Sequence, residues 1–463
     1  MAERGDTTDM DALRLEVEQA FSRRKKKKFK AYMRDLEWMY EHCFSRELFD
    51  VYTGDRSKLT LFDMQTYRQW KSHIDYERVI HFRRLRQRNI IIQPLVLSKI
   101  EQERAGYIDT EIHQQVLELL RYYCESFFTG MVVRIAPPID ISTIKKITKR
   151  VHSKTHREQY LVGDLLKYLQ SISPRDAFSI VGVTMVDIYP GPEWNFVLGQ
   201  ASTTTGCGVF SFGRFFKVVP QLDRKLAESC QVKEMWVLMR VMTHELCHIF
   251  GIKHCYYFQC SLNESSSISE AATQPLFVCP ICLKKLRKSL QFNTLERYQV
   301  LLEATRLMQS AVIEALQVWS ERGGTMATTS HLSDEDCIES SDEQLYTTES
   351  VDSSTTNLDD DNCETIKASI LVDPLSSENV EALLPQSSNG IRVISLVHHP
   401  SISSLPKELW HSEQLEYFNR AIDWLERTIA NFEAFEQNWE ERKLHTSGRT
   451  RFTLPTIVFP GFL

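Results

Sequence analysis

The stretch His244-Glu245-Leu246-Cys247-His248-Ile249-Phe250-Gly251-Ile252-Lys253-His254-Cys255 decides how the rest of this chain is read. His244 and His248 are four residues apart, so a helix would carry both imidazoles on one face, one turn apart. Two ring nitrogens can then reach one ion at roughly 2.1 Å. Glu245 adjoins the first histidine and points beside the ion, where a carboxylate can take a proton from a zinc-bound water. Gly251 adopts a left-handed backbone at no steric cost, which ends the helix and reverses the chain. The reversal swings His254 back as a third nitrogen ligand. Three histidines leave the fourth zinc position open, the arrangement of a catalytic rather than a structural site. Zinc lowers the pKa of water in that position to about 7, and Glu245 would accept the proton and later pass it to a leaving amine.

A second ligand set follows directly. Cys255, Cys260, Cys279 and Cys282 form a C-x4-C…C-x2-C series, and Cys279-Pro280-Ile281-Cys282 has the form of a zinc knuckle. Four thiolates make a closed, structural zinc site. A redox dithiol is the other reading of the Cys-x-x-Cys pair, and the company of two more cysteines argues against it.

The run HExxHxxGxxHC, followed by C-x4-C and a distal CxxC, resembles the archaemetzincins, zinc-dependent metallopeptidases of the metzincin group. The resemblance implies that His244, His248 and His254 hold a catalytic zinc, that Glu245 is the general base, and that Cys255, Cys260, Cys279 and Cys282 hold a second ion. Two Zn2+ ions per chain are therefore expected. It also implies an α/β (α+β) fold with a mixed twisted sheet and an active-site helix, and a peptide or protein substrate taken by the sheet's edge strand above the zinc. One position departs from the pattern. Leu262 stands where the family has a methionine that forms an apolar floor under the metal. A Leu-for-Met exchange keeps volume and costs less than about 1.5 kcal/mol, so the site is expected to survive it. The resemblance covers about residues 90 to 320 and does not say whether cleavage is internal or aminopeptidase-like.

Outward from the motif, the chain alternates strand and helix signals. Asn89 to Leu95 and Met131 to Ile135 read as short buried strands, with a helix between them over about Asp109 to Phe128 that Gly130 closes. Strand, helix, strand in this order predicts a crossover unit. A helix is expected over about Arg157 to Leu169, a buried strand over Phe178 to Val186, and two paired strands over Trp194 to Ala201 and Cys207 to Phe212, one of them the sheet's edge. The active-site helix should run from about Val232 to Phe250. Cys247, inside the motif, reads as a buried inert thiol. A long helix should begin near Leu295 and end near Gly323.

The 463 residues divide into four segments on this reading. Residues 1–85 are a helical, basic N-terminal extension. Its cluster Arg23 to Lys30 suits nuclear localisation, an acidic partner, or an ordinary solvated helix face. Residues 86–322 form the catalytic domain. Residues 323–404 are a linker; from Gly323 to Ile366 it holds twelve acidic residues and no Lys or Arg, a self-repelling composition that predicts disorder. Residues 405–463 hold an amphipathic helix over Trp410 to Lys443, with Leu415, Phe418, Ile422, Leu425, Ile429, Phe432 and Trp439 on one stripe. That stripe must be buried, either on the catalytic domain or against a protein partner.

Composition narrows the function classes. The net charge of −6 gives no global reason to bind nucleic acid. No apolar run nears 18 residues, so no membrane span is expected. The N-terminus reads as polar without a signal peptide, and eleven cysteines then point to thiols and metal ligands in the cytoplasm, with the nucleus a second address. The rival to a peptidase is a non-catalytic zinc scaffold or peptide-binding protein. An intact Glu245 speaks against it, because a structural site needs no base.

Overall fold

Three isoleucines in a row, Ile90-Ile91-Ile92, give a strand with no polar face, which is stable only when both faces are covered. In the computed structural model they lie in β1 (Asn89–Val96), in the middle of the principal sheet. The structure describes residues 65–76, 86–107, 110–215, 231–256, 258–265, 271, 274–321 and 413–446. The basic cluster Arg23 to Lys30 and the whole linker 323–404 lie outside the described residues, as does the Trp439 side chain.

In chain order the elements are α1 (Tyr67–Tyr76), β1, α2 (Lys99–Ala105), α3 (Gln114–Phe127), β2 (Val132–Ile135), β3 (Ile139–Asp140), β4 (Lys149–Val151), β5 (Glu158–Leu161), α4 (Val162–Ile172), β6 (Ser179–Thr184), β7 (Asp187–Tyr189), β8 (Gly199–Ser202), β9 (Cys207–Ser211), α5 (Met235–Ile249), α6 (Pro280–Leu290), α7 (Thr294–Glu321) and α8 (Glu413–Thr446). The principal sheet runs β2-β1-β6-β9-β8. β1 pairs in parallel with β2 and β6, and β6 with β9, whereas β8 runs antiparallel to β9. The sheet is thus mixed, and β8 is its edge. β1 also meets β3 beyond the end of β2. Pro94, which has no N–H to donate, falls in the gap between those two pairings. β4, β5 and β7 form a second, small sheet.

Alternation assigns the faces of the principal sheet. Ile90, Ile92, Val181, Val183 and Phe210 face the larger core under α3, α5 and α7; Ile91, Ile180 and Val209 face the smaller one, with Leu165 and Leu169 of α4. All fifteen residues of α5 are buried, as expected of a helix packed between a sheet and other helices. The larger core does not stop at residues 86–322: it takes in Trp70 and Ile74 of α1 and Leu415, Phe418, Trp424, Leu425, Ile429 and Phe432 of α8. α8 lies along α7 and reaches α5, where Trp236 meets Tyr417 and Phe418 at ring-centroid distances of 5.4 and 5.3 Å. The described part of the apolar stripe is therefore buried within the chain itself. Among the described residues no helix is long and apolar enough to cross a membrane.

Three local expectations need correction. The helix expected from Arg157 starts at Val162, because Gln159, Tyr160 and Leu161 are taken into β5 by parallel pairing with Asp187, Ile188 and Tyr189. The helix expected from Asp109 starts at Gln114. The strand expected from Trp194 is short: Gly199–Ser202 forms the ladder with β9, and the segment before it is held by Arg150, which donates to the carbonyls of Pro192, Trp194 and Asn195.

Candidate active site

α5 ends at Ile249 and brings His244 and His248 to the same side, their ring centroids 4.7 Å apart. Gly251, with φ +74°, turns the chain and its N–H donates to His248 O at 2.8 Å. A larger residue there would be strained by that φ, and its Cβ would stand 2.7 Å from Ile74 Cδ1. After the turn His254 comes back to lie 5.3 and 5.0 Å from the His244 and His248 rings. One ring nitrogen from each of the three falls within 4.8 Å of the others. The Nε2 atoms of His244 and His248 are 3.1 Å apart, close to the roughly 3.3 Å edge of a tetrahedron with 2.0 Å metal–nitrogen bonds.

The protonation pattern suits a metal. His244 Nδ1 donates to Ser261 O at 2.8 Å, and His248 Nδ1 donates to Ile252 O at 2.7 Å. With Nδ1 holding the proton, each ring turns a bare Nε2 lone pair inward. Burial, reinforced by the neighbouring imidazoles, holds His244 and His254 well below the usual histidine range. Burial lowers His248 to about 4. All three are therefore neutral at pH 7.

Glu245, the chain neighbour of His244, is buried, and its Oε2 has no hydrogen-bond partner among the described residues. An orphaned buried carboxylate oxygen costs free energy unless it serves something the fold alone does not contain. Burial pushes the Glu245 carboxyl up to about 8, with Arg240 pulling the other way. Arg240 itself donates to Ser265 Oγ at 3.2 Å. The room for Glu245 comes from Gly199 at the start of β8, whose missing Cβ would lie 2.7 Å from Glu245 Cγ. On the same edge Thr203 Oγ1 donates to His248 O at 2.8 Å, tying the β8–β9 turn to the end of α5.

The four cysteines also converge, with one sulfur from each within 4.8 Å of the rest. Cys255 Sγ and Cys279 Sγ are 3.6 Å apart, against about 3.8 Å for the edge of a zinc–thiolate tetrahedron. All four are free thiols. Cys279 caps the N-terminus of α6, with Pro280 at its first turn, where the helix dipole favours a thiolate. Burial and the adjoining thiols push Cys279 up; Cys282 is pushed up first by Cys255 and Cys260 and then by burial, with Cys279 pulling the other way. Four crowded thiols that repel each other's ionisation are relieved by one cation.

Asn263 builds the loop between the two sites. Its Oδ1 accepts from Cys260 N at 2.8 Å, and its Nδ2 donates to Cys255 O and Phe258 O. From sequence it reads only as part of a glycosylation sequon. Leu262 is fully buried and its carbonyl accepts from Cys255 N at 2.7 Å. Cys247 is a buried thiol, raised well above its usual range by burial. Tyr256 donates to Glu264 Oε2 at 2.6 Å. Gly199, Thr203, Ser261 and Asn263 are the site residues that sequence reasoning missed. Only Asn263 left a signal, its place between the two cysteine pairs.

Residues 96–288 match the family model described as Peptidase family M54. Over that stretch the chain is similar to the archaemetzincins. It is similar to archaemetzincin-2 of Homo sapiens, 36% identical over 210 residues, covering 41% of this chain and 58% of that protein. It is also similar to archaemetzincin-1 of Rattus norvegicus, 30% identical over 258 residues, covering 51% of this chain and 48% of that protein. The chain thus spans about half to three-fifths of the curated archaemetzincins it matches. Among solved structures it is similar to the archaemetzincin of Archaeoglobus fulgidus complexed with malonate, 25% identical, covering 42% of this chain and 99% of that one, with a TM-score of 0.29.

Proposed function

We propose that this chain is a zinc-dependent metallopeptidase that hydrolyses peptide bonds with Glu245 as general base. The observation that carries the reading is the pairing of three convergent, neutral imidazoles with an unpartnered, buried Glu245 Oε2 beside them. His244, His248 and His254 would hold the catalytic zinc, and Cys255, Cys260, Cys279 and Cys282 a second, structural zinc. Zinc, when bound, supplies the Lewis acid that polarises a scissile carbonyl and makes a nucleophile of water at neutral pH. The chain's own part is to position and to move protons. Burial alone would keep Glu245 protonated at pH 7; ionised in the field of a cation held by the histidines, its Oε2 would accept the proton of the attacking water and return it to the departing amine. The Ser261 and Ile252 carbonyls hold His244 and His248 in one tautomer.

The edge strand β8 is the natural seat for an extended peptide. It ends the sheet, and its Gly199 lies against Glu245, so a strand added there would run past the base. A scaffold without chemistry would have no use for a buried carboxylate held in that state. The test compares wild type with Glu245→Gln on a diverse peptide library, with zinc counted per chain. Two zincs in both proteins and a loss of at least about 10^2-fold in the variant's hydrolysis are expected. Equal cleavage by the two would remove Glu245 from the mechanism. Cleavage products also show whether the enzyme trims amino termini or cuts internally.

A further inference from the structure

Two carbonyls stand behind the metal-ligand imidazoles, Ser261 O on His244 and Ile252 O on His248. Each sits on a loop that is braced by an element outside residues 96–288, the stretch matched by the family model. On the His248 side the brace is the N-terminal end of α1. Gln65 Nε2 donates to Gly251 O at 2.9 Å, and Gln65 Oε1 accepts from Lys253 N at 3.1 Å. One side-chain amide thus grips the residues before and after Ile252. The amide is itself held by the buried Lys285 ammonium, which donates to Gln65 O at 2.8 Å and to Gln65 Oε1 at 2.9 Å. Trp70 Nε1 adds a bond to Phe250 O at 3.0 Å.

On the His244 side the brace is α8. Ser261 N donates to Phe277 O at 2.9 Å. The Phe277 ring stacks on Trp424 of α8 at 4.0 Å with an interplanar angle of 6°. Trp424 is buried and also meets Tyr298 of α7, edge-on at 5.6 Å. A path of two hydrogen bonds and one ring stack therefore leads from His244 to a helix 180 residues further along the chain.

We infer that α1 and α8 complete the outer support of the histidine site, with Gln65 and Trp424 as positioning residues for His248 and His244. The inference rests on the reading that the three histidines hold a metal. Its physical basis is that a histidine's outer hydrogen bond fixes the ring's orientation, and hence where Nε2 points. A loop carbonyl free to drift would lose that control. Neither residue touches the metal position; both act on the loop that holds a ligand.

The test uses the full chain loaded with cobalt(II), then zinc competed against a chromogenic chelator. Thiolate charge-transfer absorption reports the cysteine site, and in a chain that holds zinc at the cysteines and cobalt at the histidines the d–d bands report the histidine site, so the two are read separately. Three variants suffice: Trp424→Ala, Trp424→Phe and Gln65→Glu. The last keeps an acceptor for Lys253 N and a partner for Lys285 but cannot donate to Gly251 O. Trp424→Ala and Gln65→Glu are expected to weaken metal at the histidine site about tenfold and to shift its d–d bands, with the cysteine site held within about twofold. Trp424→Phe, which retains a stacked ring, should restore wild-type affinity. Wild-type affinity at the histidine site in both Trp424→Ala and Gln65→Glu would overturn the inference, as would parallel weakening of both sites. If Trp424→Ala does not fold, Gln65→Glu decides alone. A wild-type chain that binds no cobalt at the histidines would instead overturn the metal-site reading itself.

Discussion

Gly199 lies where any larger residue would press on Glu245, with 2.7 Å from an added Cβ to Glu245 Cγ. Gly199→Ala must displace one of the two, and a base moved by about 1 Å can lose 10^2-fold in rate. The expected outcome is a fall in kcat with zinc per chain unchanged; an unaltered kcat would show that the cradle is slack. The histidines make a second prediction. Burial holds His248 at about 4 and the other two below the usual range. A lowered pKa means that protons compete with metal only at lower pH. Three ordinary imidazoles of pKa 6.5 would each lose about thirtyfold in neutral fraction at pH 5. Zinc affinity at the histidine site should therefore stay within about tenfold between pH 7 and pH 5, measured by chelator competition. The convergence of the three histidines was legible in the sequence because helical period and one glycine turn fix their relation locally. Gly199 was not, because nothing within a few residues of it reveals that it will meet a helix 46 residues away.

The described residues between Cys255 and Cys282 join the two sites. His254 adjoins Cys255, and Ser261, whose carbonyl orients His244, adjoins Cys260. Metal at the cysteines would thus stiffen the backbone that aims two histidines. Cys282→Ser removes one of four thiolates from a closed site, and should lower bound metal per chain and the thermal midpoint together. A variant with unchanged metal stoichiometry would argue against the second ion. The element read least well was β5. Arg157 to Leu161 carries no period that separates strand from helix, and of its two pairing partners β4 lies about nine residues earlier and β7 about 30 residues further on. Long-range pairing overrode local propensity there.

Over the whole molecule, the terminal helices share the core of the central segment. Phe418 is fully buried and meets Trp236 edge-on, two turns ahead of His244 on α5. Phe418→Ala should cost about 3–5 kcal/mol of unfolding free energy, read from urea denaturation of the full chain. A loss below about 1 kcal/mol would mean that α8 rests on the core without contributing to it. The same packing bears on partners. The sequence left the α8 stripe with two destinations, the catalytic domain or another protein, and its described residues are occupied by α7 and α5.

By itself the sequence determined the chemistry: which nitrogens and sulfurs can ligate, which carboxylate stands beside them, and that a glycine turn must return the third histidine. Those relations span one or two turns of backbone, so covalent geometry and helical period suffice to state them. Tertiary structure alone decided what stands around that chemistry. The Gly199 cradle, the Ser261 and Ile252 carbonyls, the Gln65 clamp and the Phe277–Trp424 stack each join segments far apart in the chain. Such contacts exist only once apolar burial has brought the sheet edge and both terminal helices onto α5 and its loop, and burial, being non-directional, leaves no local mark of where it will act.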